Sequence, residues 1–430
     1  MWWRVFSVLL LLLSQSGCEQ QQLAATSHPT ATPQLAAPPL QQKLKQQFQQ
    51  ELYIWQRVWT DEHQQALEQS RPHFSVLRIL ALQYMATAQG PLWHQADVNL
   101  ALLKKDGRPV TLVLRLDGQI PKLPLQSLTE KLQPILALYQ QAGIQLAGIE
   151  IDYDCARSQL AAYRLWLTKF RAALPKDIPV SMTALPDWLQ SAEFGPLTAQ
   201  VSQVTMQLHA VLSPEQGLFA PELAKKWAIA AAAQSQSPLY FALPAYHSAL
   251  ITAASNKKTA QSSTAVQQYW VESEVPLDIK GERRELRVDP LLVQQWLFWL
   301  QQQQFARVKG IVWFRLPLPS DQRSWAYATL AAVASGQPLK ADLRLRLQKT
   351  PTGFDLIAEN YGNLALLFAT PIRLKAHNCT GADALAGFAL SQQQQEYQLA
   401  PTTAVQPLAV NSTRTLAWFN CQKLQLLAET

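Results

Sequence analysis

Ala147-Gly148-Ile149-Glu150-Ile151-Asp152-Tyr153-Asp154 reads as a strand in which three carboxylates recur at every second position of an otherwise apolar run. Side chains at i, i+2 and i+4 share one face of a strand, so Glu150, Asp152 and Asp154 form a column with steps of ~6.6 Å. Such a face is not ordinary core. Crowded into a low-dielectric interior the carboxylates repel one another, and at least one is expected to keep its proton near neutrality, as a general acid must.

Working outward from the octet, short β-prone runs alternate with amphipathic helical stretches, which predicts βα units around a parallel sheet. Eight strands are expected: Leu52 to Trp59, Ser75 to Ala81, Val110 to Asp117, Leu146 to Asp154, Ile178 to Ala184, Gln203 to His209, Leu239 to Leu243 and Val308 to Leu316. The fold class is therefore α/β, a (β/α)8 TIM barrel over residues 48–337. Leu160, Tyr163, Leu167, Phe170 and Leu174 form one helical stripe after the carboxylate strand and read as core. Between the seventh strand and its helix lies an insertion, Ser248 to Val288, with a polar stretch Ser255 to Thr264 and a hairpin expected around Lys280-Gly281-Glu282. It is read as a wall over the functional face or as surface decoration. Asp289-Pro290 then predicts an N-cap and a first-turn proline for a helix Leu291 to Gln304.

With 430 residues, 48% hydrophobic content and 14 Trp, the chain can bury a large core. Its formal charge of +7 comes from dispersed Lys and Arg, compatible with anionic surfaces, while a nucleic-acid partner would want basic clusters interleaved with aromatics and is not expected. Residues 1–18 read as a secretory signal, with Arg4 before the apolar run Val8 to Leu13 and Ser16-Gly17-Cys18 at its end. This leader resembles a bacterial lipoprotein signal, which implies lipidation of Cys18. Gln15 stands where such signals usually carry Leu, leaving cleavage and release as the alternative, and Glu19 by the same analogy favours the outer membrane, facing the periplasm. Residues 19–47, rich in Gln, Ala, Pro and Thr, read as a disordered tether. After Gly336-Gln337-Pro338, residues 338–430 carry short alternating strands and predict a small β-sandwich, read as a structural appendage or as a sugar-binding module using Trp418 or Tyr361. In an exported chain Cys379 and Cys421 could pair, stabilising this domain by roughly 4 kcal/mol, with Cys155 left free.

Active sites of such barrels gather at the C-terminal strand ends. The candidates there are Arg57 and Trp59 on the first strand, Gln83 and Tyr84 after the second, and Arg115 and Asp117 on the third. The column follows, then Gln207 and His209 on the sixth, Tyr246 and His247 after the seventh, and Trp313 and Arg315 on the eighth. Arg115 and Arg315 are expected to pair with the column, either as part of a site or as a closed ion-pair plug that only fixes the barrel.

The octet resembles the DGxDxDxE signature of glycoside hydrolase family 18, the chitinase-type barrels, with Glu150, Asp152 and Asp154 at its second, third and final acidic positions. Leu243-Pro244-Ala245-Tyr246 resembles the seventh-strand PxY element, Thr205 to Ala210 the sixth-strand MTYDLHG run, and Trp313 the floor tryptophan. Tyr53-Ile54-Trp55-Gln56-Arg57-Val58-Trp59, together with the carboxylate strand, resembles a bacterial secreted family known as a domain of unknown function (family 3142). The departures bear on activity: Asp154 replaces a Glu and is one methylene shorter, Ala147 replaces the first acid, Met206 and Gln207 replace a Tyr and an Asp, and Arg115-Leu116-Asp117-Gly118 replaces a small-residue motif.

The resemblance implies a glycoside-hydrolase-like envelope lipoprotein acting on an oligosaccharide or polysaccharide. Asp154 would be the acid, Asp152 the stabiliser of developing positive charge and Glu150 a residue coupling Asp152 to Arg115 or Arg315. Trp59, Tyr84, Tyr246 and Trp313 would offer stacking faces, with Arg57, Arg115, Asp117, Gln207, His209 and Arg315 as further substrate contacts. The alternatives are a non-catalytic glycan-binding module and a structural or assembly lipoprotein that uses the barrel as scaffold. No motif calls for a cofactor or a metal, and a monomer is expected.

Overall fold

The computed structural model describes residues 48–427 except 88, 118, 119, 121, 210–217, 254–266 and 272–280. The leader with Cys18, the tether and the polar stretch Ser255 to Thr264 lie outside the described residues. Eight parallel strands form the barrel: Gln49–Ile54, Val76–Thr87, Val110–Asp117, Leu146–Tyr153, Val180–Ala184, Gln203–Gln207, Leu239–Pro244 and Val308–Phe314. Each pairs with the next, and the first strand pairs with both the second and the eighth, which closes the sheet. A helix follows every strand, so the chain is a TIM barrel.

Local sequence explains the units. The stripe Leu160, Tyr163, Leu167, Phe170 and Leu174 is buried throughout. Asp289 caps the helix Pro290–Gln302, its carboxylate accepting from the Leu291 N–H at 2.9 Å. Helix Tyr327–Ser335 ends on Gly336, whose φ of 66° is left-handed and disfavours any side chain.

Several boundaries differ from the sequence expectation, and the differences move site residues. The first strand starts at Gln49 and stops at Ile54, so Arg57 and Trp59 lie in the loop after it, not on it. The second runs on to Thr87 and turns back as an antiparallel strand, Gly90–Gln95. The insertion is also different. Glu282–Leu286 does not close a local hairpin; it pairs with Ser248–Ala253, which also pairs with Gln267–Val271 on its other side.

The lower interior of the barrel holds charge where hydrocarbon would be usual. Arg78, 1% exposed, points inward from the middle of the apolar second strand. Its Nε donates to Glu51 at 2.6 Å, and its Nη1 pairs with Glu150 and donates to Thr205 at 2.7 Å. Glu150, wholly buried, also accepts from Tyr53 at 2.5 Å and from Thr205 at 2.9 Å. Tyr240 lies beneath the guanidinium, 5.5 Å from ring centre to Cζ, and only Gly310 leaves it room: a Cβ there would meet the ring at 2.3 Å.

Beyond Gly336 the chain forms six antiparallel strands in one sheet, bent by register shifts at Leu356/Ile357 and Cys379/Gly381 and packed over its own core of Leu356, Leu374, Leu399, Leu416 and Phe419. Strands Ile372–Ala384 and Thr413–Leu426, 13 and 14 residues long, are the longest of the six. Cys379 and Cys421 stand opposite each other in register and are joined by a disulfide; Cys155 is free and buried.

Two stability outcomes follow. Arg78→Met strands two buried carboxylates and should cost about 3–5 kcal/mol in chemical denaturation. Cys379→Ser opens a cross-link spanning 42 residues and should destabilise the C-terminal sheet by about 4 kcal/mol, measured by denaturation under oxidising conditions.

Candidate active site

Strand alternation carries the carboxylate column upward from the buried plug to the mouth. Asp152, 2% exposed, accepts from Arg115 Nη1 at 2.5 Å and from the Thr183 hydroxyl at 2.8 Å. Asp154 sits one residue past the strand end, and 37% of its side chain is open to water. The Gln207 amide nitrogen lies 3.4 Å from Asp152 and 3.3 Å from Asp154, so one neutral donor serves both acids. Arg115 spans the same pair: its Nη2 is 3.6 Å from Asp154 and 3.7 Å from Asp117.

The electrostatics separate the column into unlike groups. Desolvation among the mouth walls, and next the neighbouring Asp152, push the Asp154 carboxyl up to about 7, against the pull of Arg115. Burial likewise pushes Glu150 up, opposed chiefly by Arg78. Burial works against the charge of Arg115, but Asp152, Asp154 and Asp117 outweigh it and raise its pKa.

The rest of the mouth is partly as expected. Arg57 donates to Gln83 at 2.6 Å, and Gln83 donates to Asp117 at 3.2 Å, so Arg57, Gln83, Asp117 and Arg115 make one network beside Asp154. His209 stacks on Phe314 with ring centres 5.6 Å apart. Trp55 packs edge-on against Phe314 at 5.1 Å and lies 5.8 Å from the Arg115 guanidinium.

Five expected contacts are displaced. Arg315 makes a two-pronged pair with Asp321, at 2.9 and 2.7 Å, and the guanidinium on Glu150 is that of Arg78 instead. Trp313 is completely buried with its indole N–H on Gln50 at 2.7 Å; alternation turns it away from the interior, and Phe314 takes the inward place. Tyr84 is likewise out of phase with the inward Gln83 and packs on Trp93 at 4.8 Å, beside Lys131 of the surrounding helix Leu125–Gln141. Tyr246 is 1% exposed beneath Arg315, and Trp59 has one face covered by His63 at 4.7 Å. Trp313 and Tyr246 therefore present no exposed ring at the mouth.

Tyr53, Trp55, Arg78, Thr183 and Thr205 also line the interior, though the sequence offers none of them as a site candidate at a strand end. Arg78 did leave a signal, as a lone charge inside Val76-Leu77-Arg78-Ile79-Leu80. A charge in a fully buried strand needs a buried counter-charge, and Glu51 and Glu150 were available in phase.

Solved structures of similar shape include the spore cortex-lytic enzyme SleL of Bacillus megaterium QM B1551, 10% identical with a TM-score of 0.45, over 71% of this chain and 77% of that one. A chitinase of Chromobacterium violaceum ATCC 12472 is 11% identical with a TM-score of 0.42, over 67% and 98%. A xylanase and α-amylase inhibitor protein of Scadoxus multiflorus is 10% identical with a TM-score of 0.41, over 67% and 97%. No curated protein matches the chain. Residues 343–422 match a family described as Domain of unknown function (DUF8456). Residues 106–319, which carry the third to eighth barrel strands and the carboxylate column, match a family described as Domain of unknown function (DUF3142).

Proposed function

We propose that this chain is a glycoside-hydrolase-like envelope protein that cleaves an oligosaccharide or polysaccharide at the barrel mouth, with Asp154 as general acid. One observation carries the reading: Asp154 is the member of the column that water reaches, and its carboxyl is pushed up to about 7, while its neighbour Asp152 is buried against Arg115. Asp152 would then stabilise positive charge developing on the sugar ring, with Thr183 and Gln207 orienting it. Glu150 has no direct part in this scheme; it holds the floor through Arg78. Trp55 and Phe314 supply the apolar wall, and Arg57, Gln83, Asp117 and His209 the polar contacts. The second reading, a glycan-binding module without turnover, draws on Arg115, which already touches Asp117, Asp152 and Asp154 and leaves the mouth charges mutually compensated.

The same proposal places the protein outside the cytoplasm as a monomer, lipid-anchored through Cys18 and facing the periplasm. The disulfide between Cys379 and Cys421 supports an oxidising compartment.

Asp154→Asn separates the two readings. In a screen of glycans, catalysis predicts a fall in turnover of about 10²–10⁴-fold with affinity kept; a wild-type protein that binds but never cleaves, and loses binding in Trp55→Ala, would sink the catalytic reading. The active form carries the proton, so kcat/KM should drop roughly tenfold per pH unit above about 7. Stability offers an independent check. A carboxyl that holds its proton more tightly folded than unfolded contributes fully below pH 3.8 and loses that contribution as pH rises through about 7. Asp154→Asn should remove this slope, gaining about 1 kcal/mol at pH 8 once screening by water at a partly exposed side chain is allowed for.

A further inference from the structure

Arg323 is 1% exposed, lies outside the proposed catalytic network, and is poorly compensated. Its Nη1 faces Glu285 at 3.4 Å, but Glu285 is held more closely by Arg283, at 2.6 Å. Its Nε and Nη2 have no hydrogen-bond partner among the described residues. These two nitrogens share one edge of the guanidinium, and their N–H bonds run parallel, a spacing matched by two oxygens of a carboxylate or a phosphate.

The surroundings favour an anion. Asp321 is engaged by Arg315 and by the backbone N–H of Arg323. Arg283, Arg287 and Arg315 all lie near enough to act on Arg323 or His247, against Glu285 and Asp321. His247 joins the Arg323 carbonyl through its backbone N–H at 2.8 Å, and burial first, then Arg287, lowers its pKa to about 4, so it adds no charge at neutral pH. Among the described residues, a buried guanidinium with an unbonded edge and more arginines than carboxylates around it is an incomplete site.

We propose that the Nε/Nη2 edge of Arg323 is an oxyanion site, taking a carboxylate or phosphate group where the insertion sheet meets the loop after the eighth barrel strand. The site borders the mouth through Tyr246, which bridges to Ser324 and packs on His209 and Phe314. An acidic sugar on the substrate would supply the group if the glycan reading holds; a free anion would supply it otherwise.

Calorimetric titration and thermal melts of the mature chain should be run with inorganic phosphate, with galacturonate and with galactose, at matched ionic strength. Saturable binding of phosphate or galacturonate but not galactose is expected. It should weaken at least tenfold in Arg323→Gln and in Arg323→Lys, strengthen several-fold in Glu285→Gln, and persist in Asp154→Asn. Preference for galacturonate assigns the source to a sugar, and preference for phosphate assigns it to a free anion. Should neither anion bind the wild type, or should binding survive undiminished in the soluble Arg323 variants, the site is overturned. Anion binding that is intact in Asp154→Asn leaves the site standing whichever way the catalytic reading falls.

Discussion

The buried clamp of Arg78 between Glu51 and Glu150 is the constraint on which the rest of the barrel depends. It ties strand two to strands one and four across the interior, and Thr205 and Tyr53 complete the oxygen and hydrogen inventory from strands six and one. Hydrophobic filling would hold a barrel equally well and tolerate slippage; an ion cluster is satisfied in one arrangement only, so the register of four strands is fixed together. Gly310 is the concession the cluster requires, since it admits the Tyr240 ring under the cation.

Above the clamp the same column changes character within two residues. Glu150 is enclosed, Asp152 is enclosed but tied to a partly exposed arginine, and Asp154 opens to water. A gradient of solvation along one strand thus gives three chemically different acids from one repeated pattern, and the plug and the site are successive storeys of a single column. The closed ion-pair plug is present low in the column, with Arg78 rather than Arg315 as its cation, and the candidate site lies above it.

The barrel and the identity of the column were legible in the octet and in the βα alternation because both rest on period-two and period-3.6 patterning, which survives without tertiary information. The partners were not. Arg315 follows the eighth strand in apparent phase with the interior, yet the chain departs from sheet geometry after Phe314 and takes the arginine to Asp321. Trp313 shows the same limit: sequence puts a tryptophan at a strand end, but only the register decides which of two neighbouring aromatics faces in. The first strand was misjudged by three residues at its start and five at its end because Trp55 to Trp59 is as β-prone as the strand itself; there the chain instead bonds to the segment at Asp97. The insertion could not be read as a sheet because one strand, Ser248–Ala253, pairs with two others that follow it at different distances along the chain.

The junction of that insertion with the barrel has a mechanical consequence. Only Ala245, Tyr246 and His247 separate the seventh barrel strand from Ser248–Ala253, and backbone bonds from Trp325 to Ala245 and from His247 to Arg323 rivet this short neck to the loop after strand eight. A neck so brief and doubly fastened has no hinge. The root of the three-stranded sheet is therefore held to the barrel rim as a fixed parapet, with its first strand fastened at the base and paired on both sides.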